Sequence, residues 1–379
     1  VRVLVAPDKF KGSVSARIVA DRIADGLAAA GIESTRLPLA DGGDGSIDAA
    51  VAAKFTRYPV TVAGATGAPH YSGIAVRNGT AVIEVASTCG MATLPRGIPS
   101  PLDASSLGMG QAINQALRQQ PRRLVLALGG SASTDGGMGM LAALGYLFYD
   151  INGRQFRACG RTLERVHFID TTRAVNMTGV EIILACDVTN PLLGPIGAAA
   201  VYGPQKGARS ETVGRLDAGL TSFVEAFVRS GHPHARAVAN SPGAGSAGGI
   251  GFAALMLGAQ MVSGADFFLD LLDFEGHLSE SDLVITGEGS IDDQTGQGKL
   301  LTVLARRAHP VPVIAVAGRC TIPRDKWSTA GLESVHVLGD FTKGDTATDP
   351  ALTGKVLTHI GHLIGREQAA AAGARSRGR

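Results

Sequence analysis

At 379 residues the chain is long enough for two domains with substantial cores, and its 51 glycines and few aromatics suit close helix–sheet packing in an α/β protein. A formal net charge of +2 supplies no electrostatic footprint for nucleic acid or a membrane surface, so neither is an expected partner. Four scattered cysteines, Cys89, Cys159, Cys186 and Cys320, form no Cys-x-x-Cys pair and have no histidine at ligand spacing, which speaks against a zinc module and fits reduced, mostly buried thiols.

Residues 1–5 read as a strand rather than as a leader with a charged start, an apolar middle and a cleavage site. The longest apolar run, 250–262, is too short to cross a bilayer, and a cytoplasmic location is the expectation. Ser13 or Ser15 can cap a following helix that runs to Leu27. The loop between, Ala6-Pro7-Asp8-Lys9-Phe10-Lys11-Gly12-Ser13, therefore lies at the carboxyl end of a strand, where open α/β sheets bind ligands. Lys9 and Lys11 beside a Gly-Ser helix start can neutralise an anion, although loop lysines are most often merely solvated. Strand-like residues 37–40 then lead into Asp41-Gly42-Gly43-Asp44-Gly45-Ser46 and a helix over 47–54. Two carboxylates three apart in a glycine loop can hold Mg²⁺ or orient a sugar-like hydroxyl. Asp44 can equally be only a helix N-cap.

From Tyr58 the pattern changes. Runs 59–64, 71–76 and 81–85 alternate in part, and Arg77-Asn78-Gly79-Thr80 carries an Asn-Gly hairpin signal, so antiparallel strands open a second domain of different construction. A helix over 107–118 precedes the stretch around which the chain is organised. There the buried strand 124–128 runs into Gly129-Gly130-Ser131-Ala132-Ser133-Thr134-Asp135-Gly136-Gly137, followed by a helix expected over 138–147. Glycines admit close backbone approach, hydroxyls add donors and a helix N-terminus favours an anion, so the loop suits phosphate. A tight turn that needs positive φ is the plain alternative.

A further buried strand ends in Ala185-Cys186-Asp187-Val188-Thr189-Asn190-Pro191-Leu192. A carboxylate at such an end is well placed for catalysis, or for an Asx turn. Gly203-Pro204-Gln205-Lys206-Gly207-Ala208 then presents a lysine between glycines. Residues 243–248 match G-x-G-x-x-G ahead of a helix expected over 252–262, and 137–142 match the G-x-G-x-x-A form. Neither opens a first βαβ unit, which makes a nicotinamide-dependent oxidoreductase a weak rival.

Buried strands over 282–292, 311–318 and 334–338, separated by helical stretches, restore the parallel-sheet pattern. The expected fold class is therefore α/β with two domains. One is doubly wound, mainly parallel and discontinuous over 1–60 plus 280–379; the other is an inserted mixed α/β domain over 61–279, with the active site in the cleft between them. Arg375, Arg377 and Arg379 close the chain on an Ala/Gly/Ser tail expected to be disordered. No G-x-x-x-x-G-K-[ST] follows a strand and no His-Arg-Asp loop occurs, so a nucleotide site would be of another kind.

Six of these stretches resemble, in order, the motifs of the type I glycerate kinase family: 6–13, 41–45, 129–137, 185–192, 203–208 and Thr286-Gly287-Glu288-Gly289-Ser290-Ile291-Asp292. The likeness runs from Val3 to about Ala317. It implies a glycerate 2-kinase, an ATP- and Mg²⁺-dependent enzyme that phosphorylates D-glycerate to 2-phospho-D-glycerate in glycerate, glyoxylate or sugar-acid catabolism. Phosphoryl transfer needs positioning and charge neutralisation more than covalent chemistry, and the sequence supplies parts for both. Gly129, Gly130, Ser131, Ser133, Thr134, Asp135, Gly136 and Gly137 are the candidates for the phosphates. Asp187 and Lys9 are the catalytic candidates, Asp187 to orient the attacking hydroxyl or accept its proton. Lys11, Ser13, Asp41, Asp44, Asn190 and Lys206 are the candidates for substrate contact, and Asp41, Glu288 and Asp292 for Mg²⁺. The chain departs from the family where Asp44 replaces a frequent Glu, Ser290 a common Arg and Tyr202 a usual Phe. A kinase for another small hydroxy acid and a non-catalytic sugar-acid or nucleotide sensor on the same fold are the alternatives, and a homo-oligomer stays open.

Overall fold

Strands from opposite ends of the chain pair in one sheet. The computed structural model describes residues 1–292 and 300–377. In it Arg2–Val5 lies between Glu33–Arg36 and Leu283–Ile291, and Val313–Cys320 and Ser334–Val337 continue beyond Leu283–Ile291, every pair parallel. Alternate residues share a face, so Val3, Val5, Leu283, Ile285, Ile314 and Val316 pack together. They meet Val19, Ile23 and Leu27 of the helix Ala16–Ala29 and Leu357, Ile360 and Ile364 of the closing helix Pro350–Arg377. These two helices touch through glycines. A Cβ on Gly26 would stand 2.6 Å from the His362 nitrogen, and one on Gly361 would stand 3.0 Å from the Ile23 carbonyl carbon. Ser15, rather than Ser13, caps the first helix, its Oγ accepting from the Ile18 N–H. The closing helix takes in the segment expected to be disordered as far as Arg377, and Arg379 lies outside the described residues.

The second sheet has the order Gln260–Val262, Glu181–Ala185, Arg123–Ala127, Thr80–Glu84, Pro69–Arg77, Thr56–Ala63. Its first four strands are parallel and its last three form an antiparallel meander. The hairpin turn uses positive φ at both Asn78 (50°) and Gly79 (77°), as a two-residue turn that follows strand twist requires. Two helices are shorter than their sequences suggest. Met138–Ala143 stops because Gly145 turns the chain at φ 91°, and Leu147–Tyr149 pairs with Phe168–Asp170. Ile250–Met256 ends before Gly258 at φ 86°, and Gln260–Val262 joins the sheet edge. A short apolar run carries no period that separates helix from strand.

The chain divides into two compact units: Val1–Asp41, Asp48–Ala53 and Ala265–Arg379 form one, Gly42–Ile47 and Lys54–Gly264 the other. Against the expected boundaries at 60 and 280, the segment Gly42–Ile47 and residues 54–60 belong to the second unit and residues 265–279 to the first. The second unit's core holds an aromatic group, Phe223 with Phe227 at 5.1 Å and Phe148 at 5.7 Å, and Phe227 with Phe252 at 5.8 Å. Among the described residues no helix is long and apolar enough to cross a membrane.

Candidate active site

In the first unit the strand order reverses at Arg2–Val5. The chain leaves that strand for Glu33–Arg36 on one side, while Leu283–Ile291, on the other, leads outward to Val313–Cys320 and Ser334–Val337. Loops diverge at such a switch point, and ligands of open α/β sheets bind there, beyond the carboxyl ends of the strands. The Asp8 N–H donates to the Gly287 carbonyl at 2.8 Å and the Leu39 N–H to the Pro7 carbonyl at 2.9 Å, so residues 8–11, 39–41 and 287–292 line one edge. Lys9 and Asp8 are half-buried and their charges lie 3.9 Å apart, whereas Lys11 is exposed. Asp41, Glu288 and Asp292 are all partly exposed there. The Ser13 hydroxyl is engaged within the fold: its Oγ donates to the Thr346 carbonyl at 2.9 Å and lies 3.1 Å from Thr353 Oγ1, fastening the loop to the closing segment.

Among the described residues no three His, Cys, Asp or Glu side chains gather as a metal cage. Mg²⁺ does not require one. It prefers hard oxygens, keeps several waters and commonly arrives on phosphates with one or two carboxylates from the protein, which the donor chemistry of Asp41, Glu288 and Asp292 suits.

In the second unit the loop 129–137 is held from inside. Lys206, 3 % exposed, donates from Nζ to Ser131 Oγ at 2.8 Å and to the Ser133 carbonyl at 2.6 Å. Burial pulls its pKa down to about 8, against the attraction of Asp135 and Cys89. Lys206 is thus a brace of the loop, in place of the substrate contact expected of it. The Ser133 and Thr134 hydroxyls are fully buried beside it and find no hydrogen-bond partner among the described atoms.

Asp135 has a different task from the phosphate contact expected of it. It is fully buried, and its carboxylate accepts from Ser106 N–H (2.8 Å), Ser106 Oγ (2.9 Å), Gly137 N–H (3.1 Å) and Gly139 N–H (3.2 Å). One side chain thereby holds the starts of helices Leu107–Leu117 and Met138–Ala143. Burial pushes its pKa up while these donors pull it back. Gly136 and Gly137 take φ 66° and 73°, but their bare Cα atoms face protein: a Cβ at Gly136 would stand 2.8 Å from Phe223 Cδ1, and one at Gly137 would overlap Ala253 Cβ. Gly137→Ala therefore combines a left-handed backbone with a clash. It is expected to cost about 2–3 kcal/mol, read as a lower urea midpoint at unchanged slope.

The Gly42–Ile47 segment packs on the same edge of this sheet. A Cβ at Gly129 would meet Gly43 Cα at 2.5 Å, and one at Gly42 would overlap the Ala185 carbonyl. The start of helix Ser46–Ala52 is capped by a residue the sequence reading missed. Glu84, 3 % exposed at the end of strand Thr80–Glu84, accepts from the Gly45 N–H (3.2 Å) and the Ile47 N–H (3.1 Å) through Oε2. Its signal was the one used for Asp187, a carboxylate closing an apolar strand. Asp44 itself is exposed.

Asp187 is exposed just past Glu181–Ala185, and its Oδ1 accepts from the Gly264 N–H at 3.0 Å. Asn190 instead ties its own loop, its amide donating to the Ile196 carbonyl at 2.8 Å and its carbonyl accepting from Tyr202 Oη at 2.7 Å. The glycines at 243–249 follow the helix Ala235–Ala239, not a strand, so the dinucleotide fingerprint lacks its context. Unit by unit, the structure gathers Lys9, Lys11, Asp41, Glu288 and Asp292 in the first and the 129–137 loop, Lys206, Asp44 and Asp187 in the second.

The family model for the glycerate kinase family matches residues 3–359. The chain is 38 % identical over 334 residues to the glycerate kinase of Bacillus subtilis (strain 168), covering 86 % of each. It is 37 % identical over 332 residues to the glycerate 2-kinase of Escherichia coli (strain K12), covering 85 % of this chain and 86 % of that protein. A crystal structure from Salmonella typhimurium LT2, assigned as a candidate glycerate kinase 2, superposes with a TM-score of 0.82 at 34 % identity, covering 98 % of this chain and 99 % of that one.

Proposed function

The chain belongs to the glycerate kinase family, and on that premise we propose that it transfers the terminal phosphoryl group of ATP to the 2-hydroxyl of D-glycerate. The observation that carries this reading is the reach of the family match over residues 3–359, which takes in the switch-point loops and the lysine-braced loop alike. Mg²⁺, when bound, offsets phosphate charge, and Asp41, Glu288 and Asp292 are its proposed ligands. Lys9 and Lys11 neutralise the anionic reactants, and the partly exposed head of the 129–137 loop, at Gly129 and Gly130, positions phosphate oxygens. Asp187 orients the attacking hydroxyl and takes its proton as the bond to phosphorus forms. The same reading makes this a cytoplasmic enzyme acting on a small organic acid.

The test mixes purified protein, ATP, Mg²⁺ and D-glycerate with enolase and pyruvate kinase and omits phosphoglycerate mutase. Pyruvate is expected, because only the 2-phosphate feeds enolase. ADP without pyruvate would replace the product by the 3-phosphate or the acceptor by another hydroxy acid, and no ADP would overturn the kinase reading.

A further inference from the structure

We infer that Arg319 binds a substrate oxyanion at the switch-point edge of the first unit, either the carboxylate of the hydroxy acid or the terminal phosphate of the nucleotide. The inference rests on the kinase reading above. It begins with strand lengths. Arg2–Val5 pairs with Leu283–Ile291 only as far as Val5 opposite Ile285, and Ser334–Val337 pairs with Val313–Cys320 only as far as Val337 opposite Ala317. The two central strands stay in register further, Ser290 opposite Arg319 and Ile291 opposite Cys320. They run on together past their neighbours by about 10 Å, on the order of three residues.

Residues paired across a parallel ladder share a face, as do residues two apart along a strand. Arg319 therefore stands on the same face as Glu288, Ser290 and Asp292. Contacts agree: Arg319 Nη2 donates to Ser290 Oγ at 3.4 Å, and Ser290 Oγ donates to Asp292 Oδ2 at 3.4 Å. The opposite face is covered, Gly287 and Gly289 lying against Phe10 and the Lys11 nitrogen. An exposed guanidinium thus shares one face, at the carboxyl ends of the strands, with Glu288 and Asp292, two of the three carboxylates proposed for Mg²⁺. One long bond to Ser290 uses one of its five N–H donors. Its planar fork matches carboxylate and phosphate bidentately, which a lysine cannot do.

Kinetics of wild type, Arg319→Gln and Arg319→Lys, each with ATP and D-glycerate varied separately, test the inference. Arg319→Gln is expected to raise one KM about tenfold or more, with the melting temperature within about 2 °C of wild type, since the side chain is exposed. A rise for glycerate assigns the carboxylate, a rise for ATP the phosphate. Arg319→Lys is expected to recover only part of the loss. If kcat and both KM values of Arg319→Gln stay within twofold of an active wild type, the inference is overturned and the kinase reading stands. A wild type that shows neither turnover nor calorimetric binding of ATP with Mg²⁺ or of glycerate overturns both.

Discussion

Lys206→Met is expected to lower kcat by about two orders of magnitude and to change how stability responds to alkaline pH. Methionine has nearly the length of lysine and no donor, so Ser131 Oγ and the buried Ser133 carbonyl both lose the ammonium that holds them at 2.8 and 2.6 Å. A carbonyl left unsatisfied in the interior costs about 1–3 kcal/mol and the loop must shift to relieve it. A shift of about 1 Å in a group that positions a reacting phosphate costs on the order of a hundredfold in rate. The pH response follows from the depressed pKa. Between about pH 8, where the folded lysine loses its proton, and 10.5, where the unfolded one does, the unfolded chain holds the extra proton. Raising pH through that window therefore stabilises the fold. Cys89, pushed up to about 12 by burial, acts in the opposite sense above pH 9, so the comparison with the variant is cleanest between pH 8 and 9. Urea unfolding of both proteins across that range should show a rising stability in wild type that Lys206→Met lacks. Equal slopes would mean that burial does not depress the lysine's pKa, and a kcat within threefold would mean that the brace has no part in turnover.

How much of this was legible in the sequence depends on what each signal measured. The mixed architecture was, because Val1-Arg2-Val3-Leu4-Val5 and the late runs around Leu283 and Val313 are apolar on both faces, whereas the hairpin at Asn78 and Gly79 alternates. Helix lengths around Gly145 and Gly258 were not, since a glycine within an apolar run is as compatible with a packed helix as with the left-handed turn that ends one. Within the 129–137 loop the residue types pointed to ligand contacts, and at several of them the structure shows other duties. Glycine meant close approach, but the approaching groups at Gly136 and Gly137 are Phe223 and Ala253 rather than a ligand. Asp135 and Lys206 looked like ligand contacts because charge in a glycine loop is exposed by default; here each is buried and occupied in holding the chain.

The residues that escaped notice are those whose meaning is set by a partner far away in sequence. Glu84 caps a helix start 39 and 37 positions before it, and only the fold brings Gly45 and Ile47 to its Oε2. Ser106 is an ordinary serine until Asp135 reaches it across 29 residues. Arg319 ends a strand that reads as pure core until its register with Ser290 is known. In each case local propensity was satisfied by a bland reading, and what set the residue apart was a tertiary contact.

Asp187→Asn is the substitution expected to separate position from charge. Asparagine keeps the volume of aspartate and an oxygen to accept from the Gly264 N–H, now at 3.0 Å, so the strand end at Ala185 should keep its conformation. What disappears is the negative charge and the ability to take a proton. The carboxylate is exposed, so no buried network collapses with it, and the melting temperature should stay within about 2 °C. If Asp187 receives the proton of the attacking hydroxyl, kcat falls by about 10²–10⁴-fold, the usual worth of general base catalysis. A loose phosphoryl-transfer transition state leaves the hydroxyl only partly deprotonated, which favours the lower end of that range. KM for glycerate and for ATP should change little, because the group acts as the transition state forms rather than in binding. Turnover within about threefold of wild type, a barrier change of less than about 1 kcal/mol, would remove Asp187 from the mechanism. A matching rise in KM with kcat preserved would instead make it a binding residue for the hydroxy acid.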